Sequence, residues 1–286
     1  DVAAVADIDP ARAEALAARV GCRAHTTWRA ALDGADAAIV AVSPEQHAEV
    51  LHGCIERGVH ALVEKPIATR VEDAVALIDL ARRRNLVLQV AHVERFNGAF
   101  RAIADRVRDP MFIDSERLSA FKERGTEVDV VLDLMIHDID LALALTRSEV
   151  RSVSACGFGV LTPGIDIANA YIEFASGCVA NLSASRVSQS PVRKLRVFAS
   201  SVYISADLTA GQLRCVTRAG RAVEQSEETH DGGDPLALQD QAFVSAIRNE
   251  APVPVTGEDG RRALEVALSV ARLVNERLSR FETATP

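Results

Sequence analysis

The chain has 286 residues, 48% of them hydrophobic and 25% charged, with a formal net charge of −8. That length suffices for two domains of ordinary size with substantial cores, and the acidic balance excludes nucleic acid or an anionic bilayer as a partner held by a broad basic field. No apolar run reaches the roughly 18 to 20 residues of a membrane span, and the scattered cysteines Cys22, Cys54, Cys156, Cys178 and Cys215 form no CxxC pair, so they read as reduced core residues of a cytoplasmic protein without structural zinc.

The opening DVAAVAD is already strand-like and follows no methionine, so the chain is expected to begin inside a fold. Asp9 before Pro10 predicts an N-cap and first helical position for a helix over 10–20. The run AAIVAV is followed by a helix after Pro44, VHALV by another helix, and then comes LVLQV. Thr69 and Glu72 have the spacing of a capping box. Strand and helix take turns, which predicts the α/β class, with a doubly wound parallel sheet in a first domain over 1–95. After ERFNG at 94–98 the texture changes. A helical piece and the strand FIDSERLSAF lead to an apolar helix over 129–145, and residues 150–216 give alternating strands that predict an antiparallel sheet open on one face. DGGDP at 231–235 reads as a loop, and two helices, over 235–249 and 257–280, close the chain, with Thr256 and Gly257 as cap candidates. The second domain is therefore expected over 96–286, of α+β type.

The helix DVVLDLMIHDIDLALAL raises the first chemical question. At 100° per residue Asp129, Asp133, His137 and Asp140 fall within about 80° of one another on an otherwise apolar cylinder, with Asp138 well off that stripe. Three readings stay open: a solvent-facing stripe, a metal site built from Asp133, His137 and Asp140, or a general base held by carboxylates. In an open parallel sheet ligands bind beyond the carboxyl ends of the strands. There stand Asp7, able to accept from both hydroxyls of a ribose; Ser43 and Pro44 with His47 one turn into the next helix, whose amides suit a phosphate or ribose; and Glu64-Lys65-Pro66, where an X-Pro junction aims a lysine.

Together these marks resemble the glucose-fructose oxidoreductase, inositol dehydrogenase and rhizopine-catabolism (Gfo/Idh/MocA) family, which carries an EKP motif after a Rossmann strand and a DxGxHxxD pattern on a helix of its second domain. Here these are Glu64-Lys65-Pro66 and Asp133 through His137 to Asp140, and the Asp7-x-Asp9-Pro10 segment, the His47 helix and AHVERFN at 91–97 extend the likeness over nearly the whole chain. Two positions depart from the pattern. The family's Gly-rich phosphate loop is absent, as though about 25 to 30 residues of a first strand, loop and helix were missing, and Met135 stands where the helix often has glycine. The resemblance implies a partial Rossmann domain followed by a domain with an open, mainly antiparallel sheet, and an NAD-dependent sugar dehydrogenase. In it His137 is the general base, Asp133 orients its ring, and Lys65 bridges the substrate oxygen and the nicotinamide end of the cofactor. Asp7, Ser43, Pro44, His47, Glu64 and Lys65 form the cofactor side. Asp7 favours NAD over NADP, because a carboxylate repels a 2′-phosphate.

VERFNGAF, DIANAYIEF and GCVANLSASR are similar to a branch of the family acting on nucleotide-linked amino sugars such as UDP-N-acetylglucosamine, at C3. On that reading Arg95, Arg117, Lys122 and Arg186 pair with phosphates, Asp140 supports the substrate side, and Asn181, Ser183 and Ser185 form a sugar wall. Val179, Leu182, Leu195 and Val197 need cover, and the resemblance implies a homodimer or homotetramer through this sheet. The rivals are a metal-dependent hydrolase or lyase on Asp133, His137 and Asp140, and a non-catalytic dinucleotide sensor.

Overall fold

The computed structural model describes residues 1–122, 128–230 and 232–284. The backbone separates into two units, one of Asp1–Ala91 with Asp240–Arg261 and one of His92–Gln239 with Arg262–Pro286.

The first unit alternates β1 (Ala4–Ala6), α1 (Pro10–Val20), β2 (Arg23–His25), α2 (Trp28–Ala31), β3 (Ala37–Val40), α3 (Pro44–Glu56), β4 (His60–Glu64), α4 (Val71–Arg83) and β5 (Leu88–Ala91). Every pairing is parallel, in two sheets of order β1-β2 and β3-β4-β5. β4 lies between two strands, and its Ala61, Leu62 and Val63 are buried, as expected where helices cover both faces of a parallel sheet. Asp9 caps α1 as expected: its carboxylate accepts from the Ala11 N–H at 3.0 Å, Pro10 follows, and Gly21 closes the helix at φ 80°. The expected capping box of Thr69 and Glu72 does not form. Arg70 is the N-cap of α4, without a side-chain cap bond, and its guanidinium takes up Glu72 at 3.4 Å.

Residues 240–261 complete this unit. They carry the end of α7 (Pro235–Ile247) and the start of α8 (Gly257–Ala284), the two closing helices expected from periodicity. Phe243 packs with Leu62 and Ala91, and the Val90 N–H donates to the Val255 carbonyl at 3.1 Å. The Thr256 cap is real. Its hydroxyl oxygen accepts from the Asp259 N–H at 3.1 Å while Asp259 accepts from the Thr256 N–H at 2.8 Å, the reciprocal bonding of a capping box with a shorter acid.

The second unit begins with a 3₁₀ turn at Val93–Phe96 and α5 (Gly98–Arg106). Its sheet has eight strands in the order β13-β12-β11-β10-β6-β9-β8-β7: β6 (Pro110–Leu118), β7 (Val150–Phe158), β8 (Ile167–Phe174), β9 (Val179–Ser185), β10 (Val192–Ala199), β11 (Val202–Asp207), β12 (Gln212–Ala219) and β13 (Ala222–Thr229). All pairs are antiparallel except β6 with β9. Two details differ from the sequence reading: β6 is no lead-in but a central strand, and the sheet runs past residue 216 to an edge hairpin. A π-helical turn, Val131–Met135, runs into α6 (Ile136–Thr146), whose Ile136, Ile139 and Leu143 join Ile113, Leu182, Leu195, Val197 and the α8 residues Ala267 and Val270 in one core. Burying such side chains stabilises by roughly 1.5–3 kcal/mol each before entropy is counted. Among the described residues no helix is long and apolar enough to cross a membrane.

Candidate active site

In the first unit the carboxyl ends of β1, β3 and β4 carry the expected polar groups. Asp7 follows β1, half-buried, its carboxylate accepting from the Asp9 N–H at 2.9 Å. Ser43 is exposed at the N-cap of the 13-residue α3 and makes no side-chain cap bond. Glu64 ends β4, with burial raising its carboxyl above the usual range against the lowering pull of Lys65 and His47. The Lys65–Pro66 bond is cis. A carboxylate that can accept from ribose hydroxyls, a helix N-terminus with its amides uncapped by side chain, and a cation at a third strand end form a polar set that fits a dinucleotide.

His47 departs from expectation. It is 1% exposed, with Nδ1 2.7 Å from the Pro66 carbonyl oxygen and Nε2 3.0 Å from that of Val42. A neutral ring donates to one of these and an imidazolium to both. Neither nitrogen is left for a cofactor, so that role is corrected: His47 ties the turn after β4 to the turn after β3.

In the second unit His137 occupies the first turn of α6 and is partly exposed. Asp129 does not join it in a stripe, because its carboxylate caps the preceding turn, accepting from Val131 and Leu132 N–H groups at 2.9 Å each. The π turn also alters the angular progression assumed at 100° per residue, so the other charges separate. Asp133 lies within that turn and is partly exposed. Asp138 and Asp140 are buried, at 3% and 1%. Arg95 donates to both oxygens of Asp140, at 2.6 and 2.8 Å. Two residues expected to meet substrate thus meet each other. The metal reading loses a ligand by the same pairing, and among the described residues no group of three or more His, Cys, Asp or Glu is placed to hold an ion.

Arg117 is corrected as well. It is 3% exposed, sharing the inward parity of Ile113 and Ser115 on β6, and it donates to Asp138 at 2.7 and 3.2 Å and to Glu94 at 2.8 Å. Burial alone would lower its pKa, but Asp138 and Glu94 outweigh that and raise it. Arg186, 6% exposed, donates to the Val128 carbonyl at 2.5 Å and stands 4.0 Å from Asp166, so it joins loop ends and is not presented to a phosphate. Lys122 is exposed beside the undescribed residues 123–127. Asn181 and Ser183 bond to Asn169 across the strands, at 3.1 and 2.9 Å. They alternate with Ala180 and Leu182, which face α6 in the core, so they lie on the opposite face of the sheet and build no wall beside His137.

The sequence reading missed His92, which is 1% exposed, its ring centroid 6.4 Å from that of His137 and perpendicular to it, and it missed Glu94. A signal was present: Ser115 and Arg117 hold the apolar parity of β6, so a buried carboxylate had to face them.

The chain is similar to known proteins in both units. Residues 1–92 match the oxidoreductase family Gfo/Idh/MocA with its NAD-binding Rossmann fold, and residues 98–205 match the C-terminal domain of that family. A UDP-N-acetylglucosamine 3-dehydrogenase of Acidithiobacillus ferrooxidans is 36% identical, over 98% of this chain and 91% of the relative. A solved structure of that enzyme aligns with TM-score 0.91 and 37% identity over 95% of this chain and 89% of the other. An inositol 2-dehydrogenase of Rhizobium meliloti is 26% identical over 96% of this chain and 89% of the relative. The scyllo-inositol dehydrogenase of Lactobacillus casei, at 18% identity and TM-score 0.80 over 97% of this chain and 90% of the other, shares the fold. Matched in both units and 36% identical to a relative over 98% of its length, the chain belongs to the Gfo/Idh/MocA family of oxidoreductases with an NAD-binding Rossmann fold.

Proposed function

We propose that this oxidoreductase oxidises a secondary hydroxyl of a nucleotide sugar, the C3 hydroxyl of UDP-N-acetylglucosamine. The observation that carries this reading is the 36% identity to an enzyme of that name along 98% of the chain. Cofactor belongs to the unit of Asp1–Ala91 with Asp240–Arg261, with Asp7, Ser43, Pro44, Glu64 and Lys65 toward it, and substrate to the unit of His92–Gln239 with Arg262–Pro286, with Lys122 toward the diphosphate. NAD, when bound, supplies the acceptor for the hydride leaving the carbinol carbon. His137 takes the hydroxyl proton, so the alcohol becomes a ketone and the proton rests on the imidazole. Asp133, in the turn before, stabilises the imidazolium, and the Lys65 ammonium opposes negative charge growing on the substrate oxygen.

Among the described residues all five cysteines are free thiols, which supports action in the cytoplasm. The open face of the sheet supports self-association as a homodimer or homotetramer. It presents the ring contacts of Phe112, Phe198 and Tyr203, tilted against one another, and the exposed Ile167 and Tyr171.

The test is an NADH-absorbance assay of UDP-N-acetylglucosamine, free inositol and glucose with NAD and with NADP. We expect the highest kcat/KM for UDP-N-acetylglucosamine with NAD, and a kcat lowered about 10²- to 10⁴-fold in His137→Asn. Higher efficiency with a free polyol overturns the substrate, higher efficiency with NADP overturns the role of Asp7, and an unaffected His137→Asn overturns the base.

A further inference from the structure

The helix turn bearing His137 is gripped by one short segment. His92, Glu94 and Arg95 lie in or beside the 3₁₀ turn Val93–Phe96. His92 sets its ring perpendicular to that of His137, centroids 6.4 Å apart. Arg95 holds Asp140 through both carboxylate oxygens, at 2.6 and 2.8 Å. Glu94 accepts from Arg117 at 2.8 Å, and Arg117 holds both oxygens of Asp138, to which Ser115 also donates at 2.9 Å. The segment thus reaches α6 at His137 itself, at the residue after it and at the residue three after it.

A planar guanidinium on two carboxylate oxygens fixes direction as well as distance, and two such forks two residues apart, about 200° around the helix, fix its rotation about its axis. Buried ion pairs seldom add stability over an apolar pair of equal volume, so their directional constraint is what distinguishes them here. Arg193 also donates to Glu94, at 3.2 Å, so three guanidiniums face three carboxylates and the cluster places the ring without adding net charge beside it.

We infer that Glu94 and Arg95 are positioning residues for His137, acting through the forks on Asp138 and Asp140. The inference rests on His137 being the base. Arg95→Met alone strands a buried carboxylate, so the informative variant of the full chain is the double Arg95→Met/Asp140→Leu, which removes both charges and keeps the volume. We expect its melting temperature to stay near that of the parent while kcat falls at least tenfold and the KM values for sugar and NAD move less than twofold. Arg95→Lys, one-pointed but charged, should recover part of the kcat lost in Arg95→Met. A double variant with kcat within twofold of the parent overturns the inference. If the double variant does not fold, Glu94→Gln is read by the same criteria. An independent readout is the imidazole NMR signals of His137, assigned by His137→Asn. These should shift in the double variant, and unchanged signals overturn the inference even if the parent turns over no sugar, an outcome that would sink the functional reading separately.

Discussion

Asp166 is wholly buried, and one carboxylate oxygen accepts from the N–H groups of Val160, Leu161 and Thr162 at 2.8, 2.6 and 2.8 Å while the other accepts from the Thr162 hydroxyl at 2.7 Å. Burial would raise its pKa, but these donors outweigh it and bring the group from 3.8 down to about 2. A folded value below the unfolded one means stability that is complete above 3.8 and lost as pH falls toward 2. Asp166→Asn keeps the shape and loses the anion. It should cost about 1–3 kcal/mol at pH 7, and urea unfolding at pH 7 and pH 3 should show a smaller acid penalty than in the parent. An equal penalty in both would mean that the anion is not what the loop relies on. At this scale the sequence revealed residue types and their order but not their partners. The places of Lys65 and Asp7 after strands and of His137 on a helix were legible because local pattern sets them. The partners of Arg117 and His47 were not, since a cation or an imidazole in a motif looks the same whether it faces substrate or a carboxylate or carbonyl of its own core.

Gly260, in the first turn of α8, faces β5: a Cβ there would stand 2.6 Å from Cγ2 of Val90. In an exposed helix the change to alanine would stabilise by about 1 kcal/mol, whereas forcing a methyl into a packed contact costs about 1–3 kcal/mol. The second effect should win here. Gly260→Ala should lower the midpoint of thermal unfolding, and adding Val90→Ala should return most of the loss. A single variant as stable as the parent would show that the contact yields without cost. Elements of this kind were read well where a single period ruled. The alternation in the first 91 residues announced α3, α4 and their strands, and Thr256 announced α8. The helix bearing His137 was located but misread in detail, because an angle of 100° per residue does not hold through a π turn, and a carboxylate that caps is spaced like one that lines a cleft.

For the molecule as a whole the sheet of the second unit makes the clearest demand. Its helix-covered face buries Leu182, Leu195 and Val197, while Ile167, Tyr171 and Phe198 on strands of the same sheet are 40%, 42% and 37% exposed. Light scattering at micromolar concentration should return a multiple of the 30.7 kDa chain mass, and Tyr171→Glu should lower that multiple without changing the far-ultraviolet circular dichroism. A monomer in the parent would leave that face to solvent and sink the assembly proposal. The broad class, α/β followed by a mainly antiparallel sheet, was legible from alternation alone. The return of residues 240–261 to the first unit was not, since nothing in a helical period says which sheet the helix will cover. That return also fixes when the protein can fold. A nascent chain stalled before residue 240 lacks Phe243 against Leu62 and Ala91 and Val255 beside Val90, and it lacks Ala267 and Val270 for the other core. Neither half can be finished on the ribosome ahead of the other, so the maturation of both waits until residues 240–270 have emerged.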